Sequence, residues 1–314
     1  MIRRFKRILL VARGHSEEAA AIARAVRLAK ENGARLSVLR VLQTLPPDLH
    51  IAGDPPAGSL EKMAAEAAHR GLVKAMKPAE KQGVRASIKV TWGTPFVEVI
   101  REVLRQQHDL VMLNASSAGR LRAGLFGHMT MRLMRKCPCP IWVVKSAQRG
   151  PYERVLAALG PESDSKKAAA LNQKILEMAS SMAALEKSEL HAVHAWDLFA
   201  DAILHGRAGV PETELKRMAA RTRTLRKKWL ADLLSAYDAA GHPGRVHLLR
   251  GSPAVTIPRL VRRKKIDVLV MGTVCRTGMT GFLMGNTAEK ILRQVDCSVL
   301  TLKPDGFVSP VKLK

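Results

Sequence analysis

Asp109-Leu110-Val111-Met112-Leu113-Asn114 and Asp267-Val268-Leu269-Val270-Met271-Gly272 carry one pattern twice, 158 positions apart. Each has an acid, then a continuous apolar run too short for a helix, then a small or polar stop. Such a run, with no polar alternation, is the mark of a strand buried on both faces. Working outward, the same interval relates Trp92-Gly93-Thr94-Pro95 to Arg250-Gly251-Ser252-Pro253, Gly127 to Gly285, Cys139 to Cys297 and Lys145 to Lys303. The register runs without a gap from Trp92 to Lys145, so the chain is an internal repeat.

Upstream the interval shortens. Arg7-Ile8-Leu9-Leu10-Val11-Ala12 pairs with Arg154-Val155-Leu156-Ala157-Ala158-Leu159 at 147 positions. The second copy therefore carries 11 extra residues between its first strand and its Gly-Ser-Pro turn. A helix or loop absorbs such an insertion, because length is tolerated there. Gln148-Arg149-Gly150-Pro151 reads as a short linker. Two domains are expected, 1–148 and 149–314, each of ordinary size.

In the first copy, strands are expected at Ile8–Ala12, Leu36–Leu42, Val84–Thr91, Leu110–Leu113 and Ile141–Val144. Between them lie helical patterns at Ser16–Asn32, Ser59–Gln82 and Pro95–Gln107. Ser16 serves as N-cap of the first, Gly33 stops it, and Pro95 sits in the first turn of the third. The second copy repeats the order, with a long helix from Glu212 to Ala240. Buried strands alternating with helices give α/β architecture: two tandem doubly wound, Rossmann-like parallel-sheet domains. A linker of a few residues favours packing of the two as a pseudo-dimer with pseudo-two-fold symmetry. Domains of this type bind ligands beyond the C-terminal ends of their strands.

Hydrophobic residues make up 47% of the 314 and charged residues 25%, enough apolar surface for two cores. No apolar run reaches the ~18 residues of a membrane span, and no leader is evident. Four cysteines, Cys137, Cys139, Cys275 and Cys297, are too few for a disulfide scaffold, which fits a reducing cytoplasm. The formal charge of +25 attracts anions of any kind, so a nucleic-acid partner rests on charge alone. Arg221, Arg223, Arg226, Lys227 and Lys228 do not fall on one narrow helical stripe and read as a solvated face.

The chemistry-bearing stretch follows the fourth strand of the second copy: Gly272-Thr273-Val274-Cys275-Arg276-Thr277-Gly278, then Gly285-Asn286-Thr287-Ala288-Glu289. Glycine at a strand end admits close approach of a ligand to backbone. Glycine at a helix N-terminus exposes unpaired N–H groups where the helix dipole favours an anion. Together they form a candidate phosphate cradle, with Asn286 and Thr287 adding short donors. This spacing resembles the Gly-x2-Gly-x9-Gly-Ser/Thr motif of the universal stress proteins. Met271-Gly272-Thr273-Val274 and Gly285-Asn286-Thr287-Ala288-Glu289 are most similar to the tandem E-type branch. Cys275 stands at the second motif glycine and Asn286 at the Ser/Thr position.

The resemblance implies a stress-response protein without catalysis, and an ATP- or AMP-like ligand in the second domain. The implied binding set is Gly160, Ala195, Gly272, Thr273, Cys275, Arg276, Gly285, Asn286 and Thr287. Nucleotide-binding members carry an Asp at the end of the first strand; here Arg13 and Gly160 stand there. In the first copy Arg13, Asn114, Ser117, Gly127 and His128 mark a degenerate site. Another small anionic or lipid-like ligand stays open, as does homo-oligomerisation. An ATP hydrolase is disfavoured because no metal-holding acid sits beside the cradle. No metal cluster is expected: Cys137-x-Cys139 lacks a second pair, and His191 and His194 point to opposite faces of one strand. His194 is expected near the ligand crevice, and no Gly-x-Ser-x-Gly elbow supplies a nucleophile.

Overall fold

The apolar runs become parallel strands because each is covered on both faces, leaving hydrogen bonding only to neighbouring strands. The structure is a computed structural model and describes residues 5–14, 18–43, 59–115, 126–146, 150–160, 166–197, 211–237, 241, 245–273 and 284–313. The chain divides into two compact units, 1–150 with 298–301 and 307–314, and 151–297 with 302–306.

The first unit contains β1 (Arg7–Val11), α1 (Ala19–Asn32), β2 (Arg35–Leu42), α2 (Ser59–Glu80), β3 (Ala86–Trp92), α3 (Pro95–Gln106), β4 (Leu110–Asn114), α4 (His128–Lys136) and β5 (Ile141–Val144). Its strands lie in the order β3-β2-β1-β4-β5, all parallel. The order reverses between β1 and β4, and ligands bind at such switch points. Ile8, Leu9, Leu110, Val111, Met112 and Leu113 are all fully buried.

The second unit contains β6 (Arg154–Leu159), α5 (Lys166–Glu186), β7 (Glu189–Trp196), α6 (Glu212–Leu234), β8 (Val246–Arg250), α7 (Pro253–Arg263), β9 (Val268–Gly272) and α8 (Asn286–Gln294). Then comes β10 (Ser298–Leu302). β9, β6, β7 and β8 are parallel in that order, so the switch point lies between β6 and β9. The α/β class expected from the apolar runs is the one observed. Among the described residues no helix is long and apolar enough to cross a membrane.

The repeated acid has a structural task in both copies. Asp109 accepts from the backbone N–H groups of Lys6 (2.6 Å) and Arg7 (3.0 Å), while Asp267 accepts from Glu153 (2.7 Å) and Arg154 (2.9 Å). Each carboxylate pins the start of the central strand. The strand registers locate the insertion. Arg7 pairs with Arg35 and Arg154 with Glu189, so seven of the extra residues precede β7. They are two helical turns: α1 has 14 residues and α5 has 21. The remaining four lie between β7 and β8.

Two helix boundaries differ from the sequence reading. Helix α1 opens at Ala19 with Glu18 at its N-cap, and Ser16 lies outside the described residues. Helix α6 stops at Leu234 rather than Ala240, with Ser235 as C-cap. Gly33 closes α1 in the left-handed region, φ 60°, as its spacing predicts.

Candidate functional site

In the first unit a side chain of the protein itself reaches across the strand ends of β1 and β4. Arg13 follows β1, and its Nη2 donates to Oγ1 of Thr130 on α4 at 3.1 Å. Thr130 is fully buried. The Arg13 backbone N–H donates to Glu18 Oε1 at 2.5 Å, and the Gly14 N–H to Oε2 at 3.3 Å. Glu18 therefore holds the turn rather than capping α1 through its own helix. Burial pulls the Arg13 guanidinium below its usual pKa, and the charge of Glu18 opposes that shift. Gly14 adopts φ +84°, and a side chain there would strike the Arg40 guanidinium. Asn114 spends its Nδ2 on Ser146 Oγ (2.8 Å) and the Ala115 carbonyl (3.2 Å). Gly127 is the N-cap of α4, and His128 is exposed beside it. Ser117 lies outside the described residues.

The second unit lacks both partners of that contact. Gly160 stands where Arg13 stood, and Ala288 where Thr130 stood. The Gly160 N–H donates to Asn172 Oδ1 of α5 at 2.8 Å, and Asn172 Nδ2 reaches back to the Gly160 carbonyl at 3.5 Å. Asn172 is itself buried, so the end of β6 is fixed by a neutral amide. Gly285 is the N-cap of α8, and its N–H donates to the Thr273 carbonyl at 3.0 Å, joining the helix start to the end of β9. Asn286 and Thr287 are exposed in the first turn, with no side-chain cap. Glu289 supplies the first N–H bonded back along the helix, to Gly285, which leaves the earlier ones pointing outward. Its carboxylate is drawn to Arg293 at 2.9 Å.

Thr273 is fully buried, and its Oγ1 has no hydrogen-bond partner among the described residues. An unmet buried hydroxyl costs about 1–3 kcal/mol, which a polar ligand atom would recover. Ala195 is buried at the C-terminal end of β7. Cys275 and Arg276 lie outside the described residues.

At Gly272 a Cβ would lie 2.9 Å from Leu171 Cδ2, so the end of β9 packs closely on α5. His194 belongs to the core. It is 1% exposed, packs edge-on against Trp229 of α6 at 4.9 Å, and Nδ1 lies 3.3 Å from the Leu159 carbonyl. Thr130, Glu18 and Asn172 were missed. Comparing the copies position by position exposes the first, because Thr130 faces an alanine in its repeat partner. Glu18 and Asn172 lie inside Ala-rich helical patterns and carry no spacing signal.

A second polar cluster sits away from the crevice. His191 Nδ1 and His247 Nε2 lie 3.1 Å apart with rings stacked at 5.4 Å, and His191 Nε2 lies 3.2 Å from Glu189 Oε2. With Glu189 ionised, His191 donates from Nε2 and accepts at Nδ1 from His247. Burial, then the nearby His191, Lys264 and Arg263, push the His247 pKa down to about 4. The first copy has Ser37 and Lys89 at these places. There Lys89 pairs with buried Glu102 at 2.7 Å, beside a cleft of ≈ 290 Å³ floored by Leu9 and Leu39. No group of three or more His, Cys, Asp or Glu among the described residues is arranged to hold a metal ion. Cys137, Cys139 and Cys297 are buried and form no disulfide.

The sequence pattern of the universal stress protein family matches residues 4–145 and again 151–303. The chain belongs to the universal stress protein family. It is a tandem, E-type member. Universal stress protein E of Photorhabdus laumondii is 25% identical over 98% of both chains. Universal stress protein E of Escherichia coli K12 is 31% identical over 74% of this chain and 72% of its own. A solved universal stress protein of Pseudomonas aeruginosa UCBPP-PA14, described as putative, has TM-score 0.73 and 25% identity. It covers 96% of this chain and 95% of its own. One from Archaeoglobus fulgidus shares the fold with TM-score 0.61 at 18% identity, over 95% and 98% of the two chains. In this universal stress protein the first copy has a cation, Arg13, at its strand end, and the second has Gly160.

Proposed function

We propose that this universal stress protein is a non-catalytic, cytoplasmic stress-response protein that takes a nucleotide, ATP or AMP, in its second domain. The observation that supports this reading is the removal of both ends of the Arg13–Thr130 contact in the second copy, as Gly160 and Ala288. The adenosine end lies along Gly160 and Ala195. The phosphates face the first turn of α8, with the N–H groups after Gly285 and the side chains of Asn286 and Thr287 as donors, and Thr273 Oγ1 as a buried partner. Gly272 sets the strand end by its fit to Leu171, and Cys275 and Arg276 belong to the intervening loop. The first domain, with Arg13, Asn114, Ser117, Gly127 and His128, takes no nucleotide. Hydrolysis is not part of the proposed function: among the described residues the acid nearest in sequence to the α8 N-terminus, Glu289, is paired with Arg293.

Position 160 tests the reading. Cβ at 160 would meet only Asn172 Oδ1, at an ordinary 3.5 Å, so Gly160→Asp fits. Its carboxylate restores an acceptor for the ribose. A charged hydrogen bond contributes about 1.5–3 kcal/mol, so ATP binding tightens about ten- to a hundredfold. Calorimetric titration of wild type and variant with ATP measures it. No ATP binding by either protein at millimolar concentration transfers the crevice to another anionic or lipid-like ligand.

A further inference from the structure

We infer that the solvent face of α6 is a docking surface for the phosphate backbone of duplex nucleic acid. Between Glu214 and Asp232 the chain carries seven cations and no acid: Lys216, Arg217, Arg221, Arg223, Arg226, Lys227 and Lys228. At about 100° per residue six of them resolve into two rows rather than one stripe, and the seventh, Arg226, lies toward the packed side. Lys216, Arg223 and Lys227 form one row, and Arg217, Arg221 and Lys228 the other, about 120° around the helix. Between the rows runs a furrow of exposed small residues, Ala220, Thr224 and Ala231. The other side anchors the helix through buried Leu215, Ala219 and Leu230 and through Trp229 on His194, and Leu234 is buried at its C-terminal end. The cationic face is therefore held outward by packing.

The acids at the start of the helix reach only the first two cations, Lys216 to Glu212 at 2.8 Å and Arg217 to Glu214 at 3.9 Å. Arg221, Arg223, Lys227 and Lys228 are exposed and have no ion-pair or hydrogen-bond partner among the described residues. A run from 216 to 228 is about 18 Å long. A duplex carries one phosphate per ~3.4 Å of its axis on each strand, so a sugar-phosphate ridge running the length of this helix brings several phosphates within reach. A sugar-phosphate ridge seated in the Ala/Thr furrow meets a cation row on each side. A lipid surface fits less well. A helix lying in a membrane interface puts bulky apolar residues at the centre of its inserted face. Here that centre is Ala and Thr, while the exposed Met218 and Leu225 lie off to one side. The net charge of +25 supplies long-range attraction for a polyanion.

Fluorescence anisotropy of the full chain with 30-bp DNA and RNA duplexes of arbitrary sequence tests this. Binding to either is expected at micromolar protein in 50 mM salt. With about four phosphate contacts, affinity falls about a hundredfold between 50 and 200 mM. Replacing Arg221, Arg223, Lys227 and Lys228 by Ser should weaken binding more than tenfold and flatten the salt dependence. Replacing Lys62, Arg70, Lys74 and Lys77 of α2, also exposed, should change it less than threefold. Thermal melts of both variants confirm folding, since all eight side chains are on the surface. Absence of duplex binding at 50 mM salt overturns the inference. So does equal loss from the α2 set, or tighter binding to phosphatidylserine vesicles than to either duplex.

Discussion

Gly285→Val removes ATP binding by this protein, while Gly127→Val leaves it unchanged. Gly285 has φ −64° and ψ 140°, a backbone conformation valine accepts, and thermal melting of the variant checks its fold. Its side chain then stands beside the open N–H groups of the α8 first turn. Losing the helix-terminus attraction and one or two charged hydrogen bonds costs about 2–4 kcal/mol, or about thirty- to a thousandfold in affinity. Gly127 has a similar backbone, φ −67° and ψ 170°, yet its helix start lies next to a crevice already holding the Arg13 guanidinium. Calorimetry on the two variants distinguishes them, and equal losses would contradict the asymmetry between domains.

Acid destabilises the second domain through its histidine pair. His191 and His247 both have pKa values lowered in the fold, first by burial; Glu189 opposes the shift at His191, while Lys264 and Arg245 add to it. The unfolded chain takes up protons near pH 6.5 that the fold resists. Stability is therefore full above about pH 6.5 and is lost as pH falls toward about 4, the folded value of His247. The loss is on the order of 2–3 kcal/mol. Glu189, whose pKa is lowered first by its hydrogen bond to His191, adds a loss of the same sign at lower pH. Buried His108 of the first domain, its pKa also lowered by burial, acts in the same direction. Urea unfolding at pH 7 and pH 4.5, for wild type and His247→Gln, measures the effect. The variant should lose less on acidification, and an identical loss in both proteins would remove His247 from the account.

The repeat made the fold legible. Asp109 and Asp267, each followed by a continuous apolar run, located the central strands, and Gly33, Pro95 and Pro253 punctuate the helices by local backbone chemistry. Gly285 and its neighbours announced the α8 N-terminus for the same reason: anion attraction at a helix start is a local property. The sequence was silent where long-range contact decides. Arg13 and Thr130 are 117 positions apart, and nothing in either stretch says that they meet. Gly272 is ambiguous in the sequence because close approach demands glycine whether the neighbour is a phosphate or Leu171 Cδ2. The α6 cations form no single stripe, and their two rows emerge only once the extent of the helix is known.

Photolabelling of the full chain with 2-azido-ATP, followed by peptide mapping, tests the central claim most directly. Labelled peptides should all fall within 151–303, around Gly160, Ala195 and the start of α8, and excess unlabelled ATP should abolish the label. Label within 4–145 at comparable yield, or none that ATP competes away, would contradict the assignment of a nucleotide site to the second domain alone.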